Sequence, residues 1–205
     1  MFNSNEFDNY VNEYDDLTSE SDKKNTYPFA GYKKVLDKIY KIISLKPESK
    51  ILDLGFGTAK LTSRLYNDGH TIYGQDFSEK MVEYARNFMP MAKLYNRDFL
   101  DGLDDNLTKQ KYDFIIATYA LHHLSDEEKI AFIPKLLDLL KDDGKLLIGD
   151  ISFENREKLN QVREIFIEDW DDDESYCVYE ELKTVFNNLQ YEPISFCSGV
   201  FTLLK

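Results

Sequence analysis

Asp53, Gly55 and Gly57 stand within five residues of one another, followed 23 residues after Asp53 by Asp76 and a further 22 residues on by Asp98. Glycines at 55 and 57 leave the backbone free to take positive φ and to lie close against a ligand. A glycine pair alone is a weak signal, and so is any one of the acids, which could equally be a surface residue or a helix cap. Taken jointly they are specific, because each falls in or just after a short apolar run that reads as a strand. A dinucleotide fingerprint, G-x-G-x-x-G, would require glycine at 60, where Lys60 stands, and has no use for an acid inside the preceding strand.

The chemistry matched is that of a ligand with an ammonium, a sulfonium, a ribose and an adenine but no pyrophosphate, which is S-adenosylmethionine (SAM). Asp53 suits the cationic groups, directly or through water. Asp76 lies at the spacing from which an acid reaches a ribose diol. Phe77 or Met81 can pack on the adenine face. Asp98 can accept from the adenine amino group while the Phe99 amide addresses a ring nitrogen. Thr118, ending a fourth apolar run, completes the cofactor set.

Such residues must be held by an open parallel sheet, whose ligands sit beyond the carboxyl ends of the strands where the strand order reverses. The periodicity supplies one. An amphipathic helix runs from Gly31 to Pro47, then strand Lys50 to Leu54, a helix through Leu61, Leu65 and Tyr66 ended by Gly69, and strand Thr71 to Gln75. A Ser78-capped helix runs to Phe88, and strands follow near Ala92 to Tyr95 and over Tyr112 to Thr118. Ser125 and Glu128 form a capping box opening a helix to about Lys141, kinked at Pro134 and ended by Gly144. Strand Lys145 to Ile151, helical stretches over Asn155 to Ile167 and Val178 to Leu189, and an antiparallel pair over Gln190 to Cys197 and Val200 to Leu204, turning at Ser198-Gly199, complete the chain. The alternation implies an α/β fold, a mostly parallel sheet with helices on both faces.

The 205 residues are 42% hydrophobic, enough for the core of one domain: a flap over 1–30 and a Rossmann-like core over 31–205. A formal charge of -13 argues against nucleic acid and anionic membrane partners. No apolar run is long enough to span a bilayer and no leader sequence is evident, so a cytoplasmic protein is expected, as monomer or homodimer. Cys177 and Cys197 read as reduced and structural, and no metal site is expected. The acidic stretch from Glu168 to Glu174 lacks the spaced ligands and central glycine of a calcium loop and reads as a solvated lid edge.

The run from Asp53 to Thr58, with Asp76, Asp98 and the stretch Tyr112 to Leu124, resembles the class I SAM-dependent methyltransferases over about residues 5–205. Within that class the chain most resembles the YrrT-like bacterial methyltransferases, by its aromatic segment Phe7 to Asp15 and by Asn155-Arg156-Glu157. The resemblance implies a seven-stranded sheet ordered 3-2-1-4-5-7-6 with the last strand antiparallel, and SAM binding by Gly55, Asp76 and Asp98. One departure is Ala59, where the class usually has a third glycine; its methyl is expected to cost room near the ligand.

Methyl transfer from an activated sulfonium needs alignment and exclusion of water more than acid–base chemistry. If the acceptor must lose a proton, His122, His123 and Tyr14 are the candidate bases, although His123 reads equally as a packing residue at a helix start and Tyr14 as a core aromatic of the flap. His70 reads as solvated. The N-terminal aromatics and residues 152–170 are expected to form a substrate lid. A small-molecule methyl acceptor is expected; a non-catalytic SAM-binding regulatory protein is the alternative, and a nicotinamide dehydrogenase is disfavoured by Lys60 and Asp53.

Overall fold

The computed structural model describes residues 17–205, so Tyr10 and Tyr14 lie outside the described residues. After a helical segment over 17–24 come α1 (Tyr32–Ile43), β1 (Lys50–Leu54), α2 (Lys60–Asn67), β2 (Thr71–Asp76), α3 (Glu79–Phe88) and β3 (Lys93–Asn96). The second half holds α4 (Asp105–Thr108), β4 (Tyr112–Thr118), α5 (Asp126–Asp138), β5 (Leu140–Phe153), α6 (Arg156–Ile165), β6 (Cys177–Val178), α7 (Tyr179–Val185), β7 (Gln190–Pro193) and β8 (Ser198–Leu204).

The strands form one eight-stranded sheet ordered β3-β2-β1-β4-β5-β8-β7, with the two-residue β6 paired to β5 off that path. β8 is antiparallel to both of its neighbours, and the pairings among β1 to β5 are parallel. With β6 set apart, this is the expected order. The chain leaves β1 toward β2 on one side and returns to β4 on the other, so the order reverses between β1 and β4.

Side chains of β4 alternate between the two faces. Phe114 and Ile116 join a cluster with Val35, Ile39, Leu65 and Val82 of α1 to α3, while Ile115 and Ala117 join Phe132, Ile133 and Leu136 of α5. Burial on both faces is what makes such strands read as unbroken apolar runs. α1 inserts Val35 and Ile39 against Gly149 of β5, where a Cβ would meet Val35 Cγ1 at 2.5 Å and Ile39 Cδ1 at 2.8 Å.

Four local expectations are corrected. α5 stops at Asp138 rather than Lys141, and β5 begins at Leu140. Gly144 lies inside β5, where a Cβ would stand 3.0 Å from the Tyr112 carbonyl oxygen; it is glycine for close strand approach, with no helix to end. The β7–β8 turn is formed by residues 194–197, and Ser198 and Gly199 already belong to β8, paired with Ile151 and Asp150. His70 is buried, and its Nδ1 accepts from the Ser49 amide at 3.1 Å, so it is a neutral acceptor whose pKa burial lowers. The capping box is present, Ser125 N donating to Glu128 Oε2 at 2.8 Å, and α5 runs on through Pro134. At the opposite end of the sheet from the glycine loop, Asp113 accepts from the Lys50 amide and the Lys141 and Lys46 ammoniums.

Candidate functional site

A cleft opens at the carboxyl ends of β1, β2 and β4, enclosing about 1240 Å³ with its open mouth included. Its lining includes Gly55, Gly57, Asp76, Phe77, Met81, Asp98, Phe99 and Thr118, eight of the nine residues expected to hold the cofactor.

The loop after β1 is shaped by its glycines. Gly55 (φ +67°) donates from its amide to the Gln75 carbonyl at 2.8 Å, and a Cβ there would stand 2.7 Å from the Ala120 Cβ. Gly57 (φ +51°) has open space where a Cβ would point, so its backbone is bare to the cleft. Asp76 stabilises this turn: its Oδ2 accepts from the Gly57 amide at 2.8 Å and its Oδ1 from the Ser78 amide at 3.0 Å. Ser78 in turn caps α3 through Met81 N. Asp98 accepts from the Leu100 amide at 2.9 Å and caps the short turn Phe99–Asp101, while the Phe99 ring stacks on Phe132 at 5.8 Å.

Asp53, the ninth, does not reach the cleft lining. It is 1% exposed; its Oδ2 accepts from the Thr62 hydroxyl, and Oδ1 has no hydrogen-bond partner among the described residues. Burial pushes its pKa up to about 7, against the pull of the Thr62 hydrogen bond and with a further rise from the Asp76 charge. Ala59, expected to crowd the ligand, is buried and absent from the lining; its peculiarity is φ +57°, a left-handed conformation that explains why glycine is the usual residue there.

The two histidines separate. His123 faces the cleft, with its pKa lowered to about 3, chiefly by burial and then by the neighbouring His122 charge, so it stays neutral and is a weak base. His122 is buried behind it, its Nδ1 2.6 Å from Asp150 Oδ1 and its Nε2 3.5 Å from Glu174 Oε1. Burial opposes the charged ring, but the Asp150 carboxylate outweighs it and holds the pKa above the ordinary value. His122 as a base acting directly in the cleft is therefore corrected: it does not line it.

Sequence reasoning missed Tyr32 and Tyr119 and read Asp171, Asp173 and Glu174 only as part of a solvated lid edge; all five are in the lining. Tyr119 follows β4 with φ +51° and packs on Tyr32 with ring centroids 4.9 Å apart. Its place directly after Thr118 was a signal within reach; that of Glu174 was not. Of the expected lid, the acidic stretch contributes Asp171, Asp173 and Glu174, whereas residues 152–170 are absent from the lining. Trp170 and Phe166 instead stack on Tyr27, with centroids 5.4 and 5.6 Å away. No helix among the described residues is long and apolar enough to cross a membrane.

A family model described as a methyltransferase domain matches residues 51–144. Uncharacterized methyltransferases from Alkaliphilus oremlandii (30% identity; 95% of this chain and 85% of the relative) and Oceanobacillus iheyensis (33% identity; 76% and 70%) are similar over most of the chain. Solved structures of like fold include the magnesium protoporphyrin IX methyltransferase of Synechocystis with bound SAH (TM-score 0.67, 19% identity, 86% of this chain and 84% of that one). The DhpI–SAH complex is another (TM-score 0.70, 14% identity, 97% and 93%).

Proposed function

We propose that this chain, which belongs to the class I SAM-dependent methyltransferases, methylates a small-molecule acceptor. The cofactor is SAM. The observation that carries the acceptor reading is the cleft itself, which joins the glycine-loop groups to a wall of His123, Asp171, Asp173 and Glu174. Sites for small molecules are concave and carry a few convergent polar groups, and this cleft has that form. The acidic wall on a chain of charge -13 disfavours a polyanionic acceptor. The fold does not choose among acceptors.

The residues present fit the cofactor. The unpartnered Asp53 Oδ1 calls for a cationic donor, directly or through water; Asp76, already oriented by two amides, suits a ribose diol; Phe77, Met81, Asp98 and Phe99 suit the adenine. When bound, the cofactor supplies a methyl group on sulfur, which the acceptor's lone pair takes as the carbon–sulfur bond breaks and its electrons return to sulfur. The chain's own part is positional. Gly55 and Gly57 bring backbone to the ligand, Thr118 and Tyr119 close the cleft floor, and Tyr32 with Leu36 walls it from α1. Alignment of this kind is the main rate contribution available to a displacement at an already activated carbon.

The test is incubation of the chain with methyl-labelled SAM and a fractionated cell extract. Label in a metabolite is the expected result. Label only in protein or RNA overturns the acceptor class, and cofactor binding with no transfer to any fraction favours a regulatory SAM-binding role.

A further inference from the structure

Behind the cleft wall, His122, His123 and Glu174 bring one donor atom each to within 4.8 Å of the others. We propose that these three residues form a site for a divalent transition-metal ion, open on one side to the cleft.

Two of the three donors are held as metal ligands usually are, by an outer partner. His122 gives Nδ1 to Asp150 at 2.6 Å, which turns Nε2 toward Glu174. Asp150 is itself fixed, accepting from the Leu121 amide at 3.0 Å and the Ile151 amide at 2.8 Å. Glu174 has one oxygen taken, Oε2 accepting from the Tyr176 hydroxyl at 2.8 Å, and Tyr176 is bonded in turn to Tyr27. Oε1 is the oxygen that faces His122. The backbone is pinned at the same place: the Ser175 amide donates to the His122 carbonyl at 2.8 Å, and the buried Lys129 ammonium donates to the Ser175 carbonyl at 2.5 Å and the Leu124 carbonyl at 2.7 Å. So much anchoring on the two segments keeps Glu174 beside the imidazoles.

Bonds of about 2.0–2.2 Å place neighbouring donors about 3 to 3.5 Å apart. The His122–Glu174 separation of 3.5 Å already meets that, and only His123 must draw in. Two imidazoles with one carboxylate suit zinc, iron(II), manganese or cobalt rather than calcium or magnesium, which favour all-oxygen sets. Three protein donors leave coordination positions vacant, the mark of a reactive rather than a structural site. His123 and Glu174 line the cleft, so those positions face it. On the methyl-transfer reading, an acceptor hydroxyl or thiol could bind there and lose its proton more readily.

The test uses the full chain stripped with chelator, titrated with cobalt(II) and followed by visible absorption, with zinc(II) calorimetry alongside. One ion per chain and ligand-field bands are expected. His123→Ala and Glu174→Gln should each weaken binding by about tenfold or more, and Asp150→Asn by about 10- to 100-fold. Glu174→Gln keeps shape and serves if another variant fails to fold. Absence of bands, or equal binding by wild type and Glu174→Gln, overturns the site and assigns any bound ion to exposed acids. Neither SAM nor acceptor is present, so failure here leaves the methyl-transfer reading standing, and failure of that reading leaves metal binding measurable.

Discussion

Cofactor binding should expel a proton from Asp53. The acid is buried with one oxygen unpartnered, and its pKa of about 7 leaves it about half protonated at neutral pH without ligand. A cofactor cation in the adjoining cleft, reaching Oδ1 through water, favours the carboxylate form and should return the acid to about its ordinary 3.9. Binding then releases up to one proton below pH 7, and affinity falls by up to tenfold per pH unit. From about pH 7.5 to about pH 5.5 the free-state titration gives about a 25-fold loss, about 2 kcal/mol. Calorimetry in two buffers of different ionisation enthalpy counts the protons directly, and Asp53→Asn supplies the control, since it should bind more weakly but without the pH slope. The same shift acts on stability. A carboxyl whose folded pKa lies above its unfolded value costs stability as pH rises from about 4, and the loss is complete above about 7, here up to about 4 kcal/mol. Asp53→Asn should therefore melt higher than wild type at about pH 8 when no cofactor is present. A wild-type proton count of zero near pH 6, or an unchanged slope in Asp53→Asn, refutes the reasoning.

Other perturbations test the frame around the cleft. Gly149→Ala drives a methyl into Val35 and Ile39 and should cost about 1–3 kcal/mol, read from the urea midpoint; no shift would mean that α1 does not bear on β5 there. Burial alone would raise the Asp113 acid, but Lys141, Lys46 and the Lys50 amide hold it at about 2, so its contribution is present above about pH 4 and lost as pH falls toward 2. Asp113→Asn should cost about 2 kcal/mol at neutral pH and nothing near pH 2, and a uniform cost across that range would contradict the ion-pair account. Ala59→Gly should change SAM affinity by less than about threefold, because the methyl lies outside the cleft lining; a tenfold gain in calorimetric affinity would show instead that it crowds the ligand.

The glycine-loop end of the cleft was readable because its signals are local. β1 and β4 are buried on both faces and were placed to the residue; Gly55, Gly57, Asp76 and Asp98 each sit within three residues of a strand end, where the fold alone puts them at the cleft. Glycines were misread where their reason is non-local. Gly144 and Gly199 look like a helix end and a turn, yet each is small because another strand or ring lies against it, Gly199 having the Tyr191 ring 2.4 Å from where a Cβ would be. Neither has positive φ, which is what a local reading of glycine assumes.

The end of the cleft walled by His123 and Glu174 obeys the second logic throughout. Glu174 reaches His122 across fifty residues of chain because the two-residue β6 pairs Cys177 with Ser152, and because a fully buried lysine on α5 ties down the Ser175 carbonyl. No periodicity announces a two-residue strand, and a lysine inside an amphipathic helix reads as solvent-facing. Sequence reasoning could thus name the His122-His123 pair but not its carboxylates, and without Asp150 and Glu174 the two rings carry no assignable roles. Asp150 makes the difference physical: by holding Nδ1 of His122 it fixes the ring behind the lining with Nε2 aimed at Glu174. With Nε2 turned to Glu174 and no part of the ring in the cleft lining, Asp150→Asn should act through what binds between His122 and Glu174 and not through proton abstraction from the acceptor.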